Sequence, residues 1–318
     1  MYWGILCAAA ALLVAAAVQP ATADDRSVCQ QSTDDDAIAA CTSMLALNPK
    51  NPNAYIVRGV AYFRRGDYGH AISDFNQAIR LNPELAVAYS DRGDAYNHKG
   101  DYDRAISDYD QAIRLNPNDA HAYNNRGGAY YRKHVYDRAM SDFNQAIRLD
   151  PKYADAYANR GTAYARKGDY DHAMSDFDQA IQLNPKFANA YVGRGVAYSH
   201  KGDYDRAISD YDQAIRLNPK FAIAYSNRGD AYNHKGEHDR AIADTSEAIR
   251  LDPKHAAAYG NRGEAYEAKN NPDHAIADFD QALKLDRSLA DARRGRERVQ
   301  ALLAKRSNLG AQTHEPAR

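Results

Sequence analysis

Apolar and aromatic residues recur along most of the chain at steps of three and four positions, the spacing of one face of an α-helix. In residues 120–149, for example, Tyr123 and Tyr130 lie on one such face, and Ala139, Phe143 and Ala146 form a second one. Each face continues for about three to four helical turns. This pattern predicts pairs of amphipathic helices and an all-α fold with short turns.

The helix pairs recur at a fixed interval, so that the residue number increases by 34 from one copy to the next. The clearest series are the tyrosines Tyr55, Tyr89, Tyr123, Tyr157, Tyr191, Tyr225 and Tyr259 and the glycines Gly59, Gly93, Gly127, Gly161, Gly195, Gly229 and Gly263. Seven copies fill residues 52–289, at 52–85, 86–119, 120–153, 154–187, 188–221, 222–255 and 256–289. Such an array buries thin layers between neighbouring helices rather than one deep core.

The residues between the predicted helices suit the turns that such pairs need. A glycine that can adopt positive φ ends the first helix, an aspartate caps the second, and a proline ends the copy. They are Gly66, Gly100, Gly168, Gly202 and Gly236, then Asp67, Asp101, Asp169 and Asp203, then Pro83, Pro117, Pro151, Pro185, Pro219 and Pro253. Because His134 and Asn270 replace the turn glycine and Thr245 replaces an aromatic residue, we expect looser third, sixth and seventh copies.

These recurring residues resemble the tetratricopeptide repeat family. Counted from Pro52 as position 1, an aromatic residue, Gly, Tyr, Gly, Ala, an aromatic residue, Ala and Pro stand at positions 4, 8, 11, 15, 20, 24, 27 and 32. The resemblance covers residues 52–289 and implies a right-handed superhelix, a solenoid of antiparallel helix pairs. It also implies a non-catalytic scaffold or assembly adaptor that binds a protein or peptide in a concave groove lined by the first helices.

Both flanks are predicted to cover the ends of this array. Residues 24–51 repeat only the second-helix pattern, since Ala37 and Cys41 stand one full period before Ala71 and Phe75, and should form a half-repeat cap. Residues 290–306 should form a C-terminal capping helix with a solvated basic face, for which an anionic partner is the alternative. Residues 307–318 are predicted to be a disordered tail.

The first 23 residues differ in kind from the rest. Ile5 to Val18 is an unbroken apolar stretch, no charge precedes Asp24, and small residues occupy 21–23, so 1–23 is predicted to be a secretory signal peptide. The alternative is an uncleaved membrane anchor, although 14 apolar residues are fewer than the roughly 20 that span a bilayer. We therefore expect a periplasmic or secreted protein, with membrane attachment only in the second case.

Signal-peptide removal would leave two cysteines, Cys29 and Cys41, in an oxidising compartment. A helix that begins near Asp34 places Cys41 about 10 Å along its axis, within reach of the extended residues that lead back to Cys29. We predict a Cys29–Cys41 disulfide, with two inert thiols as the alternative.

Candidate binding residues are those that differ between copies on the predicted groove face, the surface formed by first-helix positions 2, 5, 6, 9, 12 and 13. Position 6 carries Asn125, Asn159, Asn227 and Asn261, interrupted by Gly193. This series is similar to the asparagine ladder of O-GlcNAc transferases, where side-chain amides hold an extended peptide by its backbone. Ordinary polar surface residues are the alternative. Acids, aromatic anchors and cations surround it: Asp94, Asp230, Phe63, Tyr131, Arg132, Arg166, His200 and His234.

A second regularity is charged. Arginine at position 7 is followed by aspartate at position 23 in all seven copies, from Arg58 and Asp74 to Arg262 and Asp278. Antiparallel helices bring these positions side by side, which predicts an ion pair inside each copy. The alternative is an arginine ladder that faces a ligand.

Charge and motif content narrow the function. The 41 basic and 42 acidic residues give a net charge of −1, so nothing favours nucleic acid as a partner. The sequence has no phosphate-binding glycine loop, nucleophile elbow or H-E-x-x-H helix, and its groove histidines stand a repeat apart. We expect no enzymatic activity, metal, cofactor or small-molecule substrate. The alternative is a cryptic hydrolase that uses groove carboxylates and histidines.

Overall fold

The computed structural model describes residues 35–312, with side chains from 35 to 305. Sixteen helices occupy this part of the chain and no strand interrupts them, so the predicted all-α fold is confirmed. The predicted signal peptide and Cys29 lie outside the described residues. The described residues divide into two compact units, 35–133 and 134–312.

The first unit contains six helices, each packed on the next. They are α1 (Asp35–Leu47), α2 (Pro52–Arg64), α3 (Tyr68–Leu81), α4 (Ala86–His98), α5 (Tyr102–Leu115) and α6 (Ala120–Arg132). Ahead of the first helix pair, α1 packs Cys41 and Leu45 beside Ala54 of α2. Cys41 is fully buried and disulfide-bonded. The pairing with Cys29 stays a prediction.

The second unit contains ten helices, again packed in chain order. They are α7 (Tyr136–Leu149), α8 (Ala154–Arg166), α9 (Tyr170–Leu183), α10 (Ala188–His200), α11 (Tyr204–Leu217), α12 (Ala222–His234), α13 (His238–Leu251), α14 (Ala256–Ala268), α15 (Pro272–Leu285) and α16 (Ala290–Gln312).

Small residues let the two helices of a pair approach closely. Gly59 of α2 faces Phe75 of α3 so tightly that a Cβ atom at residue 59 would stand 2.7 Å from the ring. Phe75 is fully buried between Ala71 and Ala78, and burial of such a ring contributes about 1.5–3 kcal/mol. The two helices are antiparallel. Tyr62 stacks on His70 near the turn, and Arg58 contacts Asp74 one helical turn further from it on both helices.

The turn inside each pair has the conformation that the sequence indicates. Gly236 has φ of 76°, and the four other turn glycines have φ of 77–80°. Asp67, Asp101, Asp169 and Asp203 each accept a hydrogen bond from a backbone N–H of the second helix. His134 and Asn270 adopt the same left-handed conformation, at φ of 61° and 60°, so these turns keep their shape at the cost of a less favourable residue.

The last helix is longer than predicted. α16 runs to Gln312 rather than to 306, and no proline intervenes before Pro316. The boundary predicted at 307 for a disordered tail is therefore not where the helix ends, and residues 313–318 lie outside the described part. Between residues 35 and 312, no helix combines the length and apolar character needed to cross a bilayer.

Candidate functional site

The charged regularity builds the scaffold rather than the groove lining. Six arginine–aspartate pairs have both members in one unit, and in each the guanidinium donates two hydrogen bonds to the carboxylate. These pairs are Arg58–Asp74, Arg92–Asp108, Arg160–Asp176, Arg194–Asp210, Arg228–Asp244 and Arg262–Asp278. Every one of these aspartates is buried. The predicted ion pair is thus confirmed for these six.

In the first unit, Asp94 and Asn125 meet on the groove face. The Asp94 carboxylate accepts hydrogen bonds from the Tyr109 hydroxyl at 2.6 Å and from Asn125 Nδ2 at 2.9 Å. Burial raises the pKa of Asp94, and the two hydrogen bonds oppose that rise. Asn125 therefore uses one amide hydrogen within the protein, and the Asp94 carboxylate already accepts two hydrogen bonds from protein side chains.

One turn before Asp94 on α4, Asp91 occupies ladder position 6. Burial, together with the nearby negative charge of Asp94, raises the pKa of Asp91 to about 7. A carboxyl group with this pKa changes its charge near neutrality.

The predicted aromatic anchor Phe63 belongs to a three-ring cluster in the first unit. Its ring centroid lies 5.4 Å from that of Tyr68 and 5.0 Å from that of His98, and the latter two rings stack at 5.2 Å. The other first-unit candidates lie on α6, where Tyr131 is half-buried and Arg132 is exposed.

In the second unit, four predicted residues line one cavity of about 230 Å³. Asn227, Asp230, His200 and His234 are joined there by four residues not singled out from the sequence, namely Val196, Ser199, Tyr204 and Tyr211. Helices α10, α11 and α12 supply all eight. The structure therefore gathers the candidates of the fifth and sixth copies into a single pocket.

One stacked aromatic pair, Tyr204–His234, lines the cavity, and His200 of a second pair lines it as well. His200 stacks on Tyr170 at 4.7 Å and His234 stacks on Tyr204 at 4.8 Å, with interplanar angles of 11° and 6°. Each histidine thus packs on a tyrosine of the preceding copy. The sequence carries that signal as a constant spacing of tyrosine and histidine.

Polar side chains also line the cavity. The Tyr211 hydroxyl lies 3.3 Å from Ser199 Oγ, and burial raises the Tyr211 pKa. Asp230 Oδ1 lies 3.9 Å from His234 Nε2, which is an ion-pair distance and not a hydrogen bond. Burial raises the pKa of Asp230, while His234 and His200 lower it.

The remaining candidates lie apart from this pocket. Asn261 Nδ2 donates to the backbone oxygen of Ser226 at 3.2 Å. Asn159 is half-buried and Arg166 exposed, both on α8. Gly193 interrupts the ladder because Phe177 fills the space, since a Cβ atom at residue 193 would stand 2.5 Å from Phe177 Cε1.

Within the described residues, no group of three or more histidine, cysteine, aspartate or glutamate side chains has an arrangement that could hold a metal ion.

Models of known protein families match most of the repeat region. The tetratricopeptide repeat model matches residues 52–85, 154–187, 188–221, 222–255 and 256–289, and a further model described as TPR repeat matches 93–133 and 135–168. The chain belongs to the tetratricopeptide repeat family. Tetratricopeptide repeats in general form scaffolds for protein or peptide contacts, and their fold is generally non-catalytic.

Solved structures show the same tetratricopeptide repeat fold. A chain in the APC/C hetero-tetramer Cut9–Hcn1 has a TM-score of 0.70 and 21% identity, covering 83% of this chain and 52% of its own. A tetratricopeptide repeat protein from Parabacteroides merdae has a TM-score of 0.62 and 22% sequence identity, and the match covers 78% of this chain and 98% of that one. PilF of Pseudomonas aeruginosa has a TM-score of 0.58 and 20% sequence identity, and the match covers 65% of this chain and 94% of that one.

The present chain thus spans about half the length of the Cut9–Hcn1 chain that it matches. No curated protein sequence matches the chain. At these identities the structural likeness establishes the fold alone.

Proposed function

We propose that this protein is an exported, non-catalytic adaptor that binds an extended segment of a partner protein on the groove face of its first helices. The observation that carries the proposal is the cavity of the second unit, which is lined by Asn227, Asp230, the Tyr204–His234 stack and His200. Such a surface offers an amide for peptide backbone, a carboxylate, and flat aromatic walls for side chains.

The amide of Asn227 is the best candidate for a backbone contact. An asparagine amide supplies a donor and an acceptor together, which suits a peptide group of any sequence. Asn125 and Asn261 already use one amide hydrogen each within the protein. Asn227 instead lines the cavity, so its amide can meet a ligand directly.

Contacts in the cavity do not favour the hydrolase alternative. Serine, histidine and aspartate are all present, but Ser199 Oγ pairs with the Tyr211 hydroxyl and the histidine–aspartate contact is 3.9 Å. Nucleophilic catalysis needs a base in hydrogen-bond reach of the nucleophile and oriented by a third group. These contacts support the proposal that the cavity binds a ligand without catalysing a reaction.

Export is supported by the sequence of residues 1–23. Sequencing of the mature N-terminus tests this part, and a chain that begins at Asp24 in the exported fraction is expected. A protein that retains Met1 and stays in the cytoplasm would contradict export without touching the binding proposal.

Binding is tested by photocrosslinking in living cells. A photoreactive amino acid at residue 227 is expected to capture a defined partner, whereas the same amino acid at exposed residue 239 on α13 is not. The crosslinked partner peptide should map to one contiguous segment. Equal capture from both sites, or none from 227, would contradict a groove-bound partner.

A further inference from the structure

Asp230 differs from its counterpart Asp94 in one decisive respect. Both stand at position 9 of their copies, but Asp94 accepts hydrogen bonds from Tyr109 and Asn125. The residues that correspond to those two donors in the sixth and seventh copies are Thr245 and Asn261.

Neither of these residues serves Asp230. Thr245 is too short to reach, and its hydroxyl donates to the backbone oxygen of Ala241 at 2.6 Å. Asn261 turns to Ser226. Among the described residues, the cationic groups that act on the Asp230 carboxylate are therefore the imidazole rings of His234, at 3.9 Å, and of His200. A partly buried carboxylate in this situation gains strongly from a charged donor.

The charge around the cavity also favours a cation. Glu264 stands one copy further on and lines an adjoining cavity that shares His234 with this one. Burial, followed by the charges of Asp230 and Asp291, raises the pKa of Glu264. Position 13 is arginine in three earlier copies, but it is histidine at 200 and 234 and alanine at 268. Arg298 faces that adjoining cavity, where Glu267 takes two of its hydrogen bonds at 2.9 and 2.8 Å.

We propose that the cavity at Asp230 binds the guanidinium group of an arginine side chain in a peptide held on the groove face. This inference rests on the proposed function and names the chemistry of its ligand. The carboxylate of Asp230 accepts the charge-assisted hydrogen bonds, and the hydroxyl oxygens of Ser199 and Tyr211 can accept further N–H groups. The Tyr204–His234 stack provides a flat wall for a planar cation.

An arginine satisfies this pocket better than other side chains. An acidic side chain would meet the carboxylate of Asp230, and a neutral one would leave Asp230 without a charged donor. Arginine also presents several N–H groups in one plane, which matches a carboxylate in the cavity and hydroxyls beside it.

The test measures binding of fluorescein-labelled Gly-Ser-Ala-Arg-Ala-Ser-Gly to the full chain at low salt, up to about 1 mM protein. Its partner probe replaces arginine by citrulline, which keeps the shape and removes the charge. The arginine peptide is expected to bind about tenfold tighter, equivalent to about 1.4 kcal/mol. Asp230→Asn should abolish this preference, whereas Asp239→Asn, which removes the same charge from the outer surface, should preserve it.

A second variant tests the pocket without removing the carboxylate. Thr245→Tyr introduces the residue that the second and fifth copies carry at position 24 and gives Asp230 an internal donor, so the arginine preference should also fall. Equal affinity for the two peptides, no binding by either, or a preference that survives Asp230→Asn would overturn the proposal. Binding of agmatine but not of the peptide would do so as well, because the occupant would then be a small free cation.

The two proposals can fail separately. If the peptides bind equally while residue 227 still crosslinks to a partner, the arginine site is refuted and the adaptor function stands. If crosslinking also fails, both are refuted.

Discussion

The guanidinium of Arg194 binds the carboxylate of Asp210 through two hydrogen bonds, from Nε at 2.8 Å and from Nη2 at 2.6 Å. Its third nitrogen donates to Asp178 of the preceding copy at 2.5 Å. The pKa of Arg194 is raised chiefly by its hydrogen bond to Asp210, whereas burial raises the Asp210 pKa and Arg194 opposes that rise. One arginine therefore joins the two helices of its own pair to the neighbouring pair.

Breaking this contact should cost much more than breaking a surface ion pair. Arg194→Ala and Asp210→Ala are each expected to lower the free energy of unfolding by about 2–4 kcal/mol, since each leaves a partly buried charge without its partner. The double variant should lose about 1–3 kcal/mol less than the sum. Urea denaturation followed by circular dichroism measures all three.

The exposed pair Lys201–Asp171 is the matched control, because its side chains are 43% and 75% exposed. Its double-mutant cycle should give less than about 1 kcal/mol. Additive effects of Arg194→Ala and Asp210→Ala would show that the two side chains are not energetically coupled, which would contradict the stabilising role of this ion pair.

The raised pKa of Asp91 predicts a pH-dependent stability. Between its ordinary value of 3.8 and about 7, the folded protein holds a proton that the unfolded chain has released, so stability falls as pH rises through this window and then levels off. Asp91→Asn should reduce this slope and stabilise the protein above pH 7 by roughly 1–3 kcal/mol, since one pKa unit corresponds to about 1.4 kcal/mol and the group remains partly open to water.

Denaturation midpoints measured from pH 4 to pH 8 would reveal the slope. Asp103→Asn, a change at an exposed acid of the same unit, should leave the slope in place. A wild-type profile that rises between pH 5 and pH 7 and is unchanged in Asp91→Asn would contradict the environment assigned to this carboxyl group.

The left-handed turn residues predict opposite effects at equivalent positions. Gly236 and Asn270 have φ of 76° and 60°. Asn270→Gly should raise stability by about 0.5–1 kcal/mol, and Gly236→Ala should lower it by about 1–2 kcal/mol, because a Cβ atom disfavours this conformation. Thermal melts of both variants check the two signs, and the same sign for both would refute the explanation.

Two helical glycines predict a contrast in packing. A Cβ atom at Gly193 would stand 2.5 Å from Phe177 Cε1, whereas at Gly260 the nearest atom is 3.9 Å away. Gly193→Ala should therefore cost about 1–3 kcal/mol through overpacking. Gly260→Ala should be neutral or stabilising by up to about 1 kcal/mol, since alanine favours the helix. Equal melting temperatures for the two variants would contradict this packing.

Much of the fold could be predicted from the sequence because it depends on local spacing. The repeat period, the turn glycines and the capping aspartates each act within one helix pair, and so does the constant Arg–Asp separation. Features of this kind survive from copy to copy and can be counted without coordinates. The end of α16 was missed because nothing in the sequence marks it as sharply as a proline would.

The pocket could be predicted only in part because it depends on differences between neighbouring copies. His200, His234, Asn227 and Asp230 were found as variable groove positions. Tyr204 recurs at a fixed repeat position, so the variation between copies does not mark it, although its ring lines the cavity. That Asp230 loses its donors follows from where the side chains of Thr245 and Asn261 point, which repeat position alone does not specify.

The most direct test of the account is a structure of the protein with the partner segment captured from residue 227. The account predicts an extended chain on the groove face, with a backbone amide at Asn227 and a side chain beside Tyr204. A segment bound on the outer surface of the second helices, with the cavity at Asp230 untouched, would contradict it.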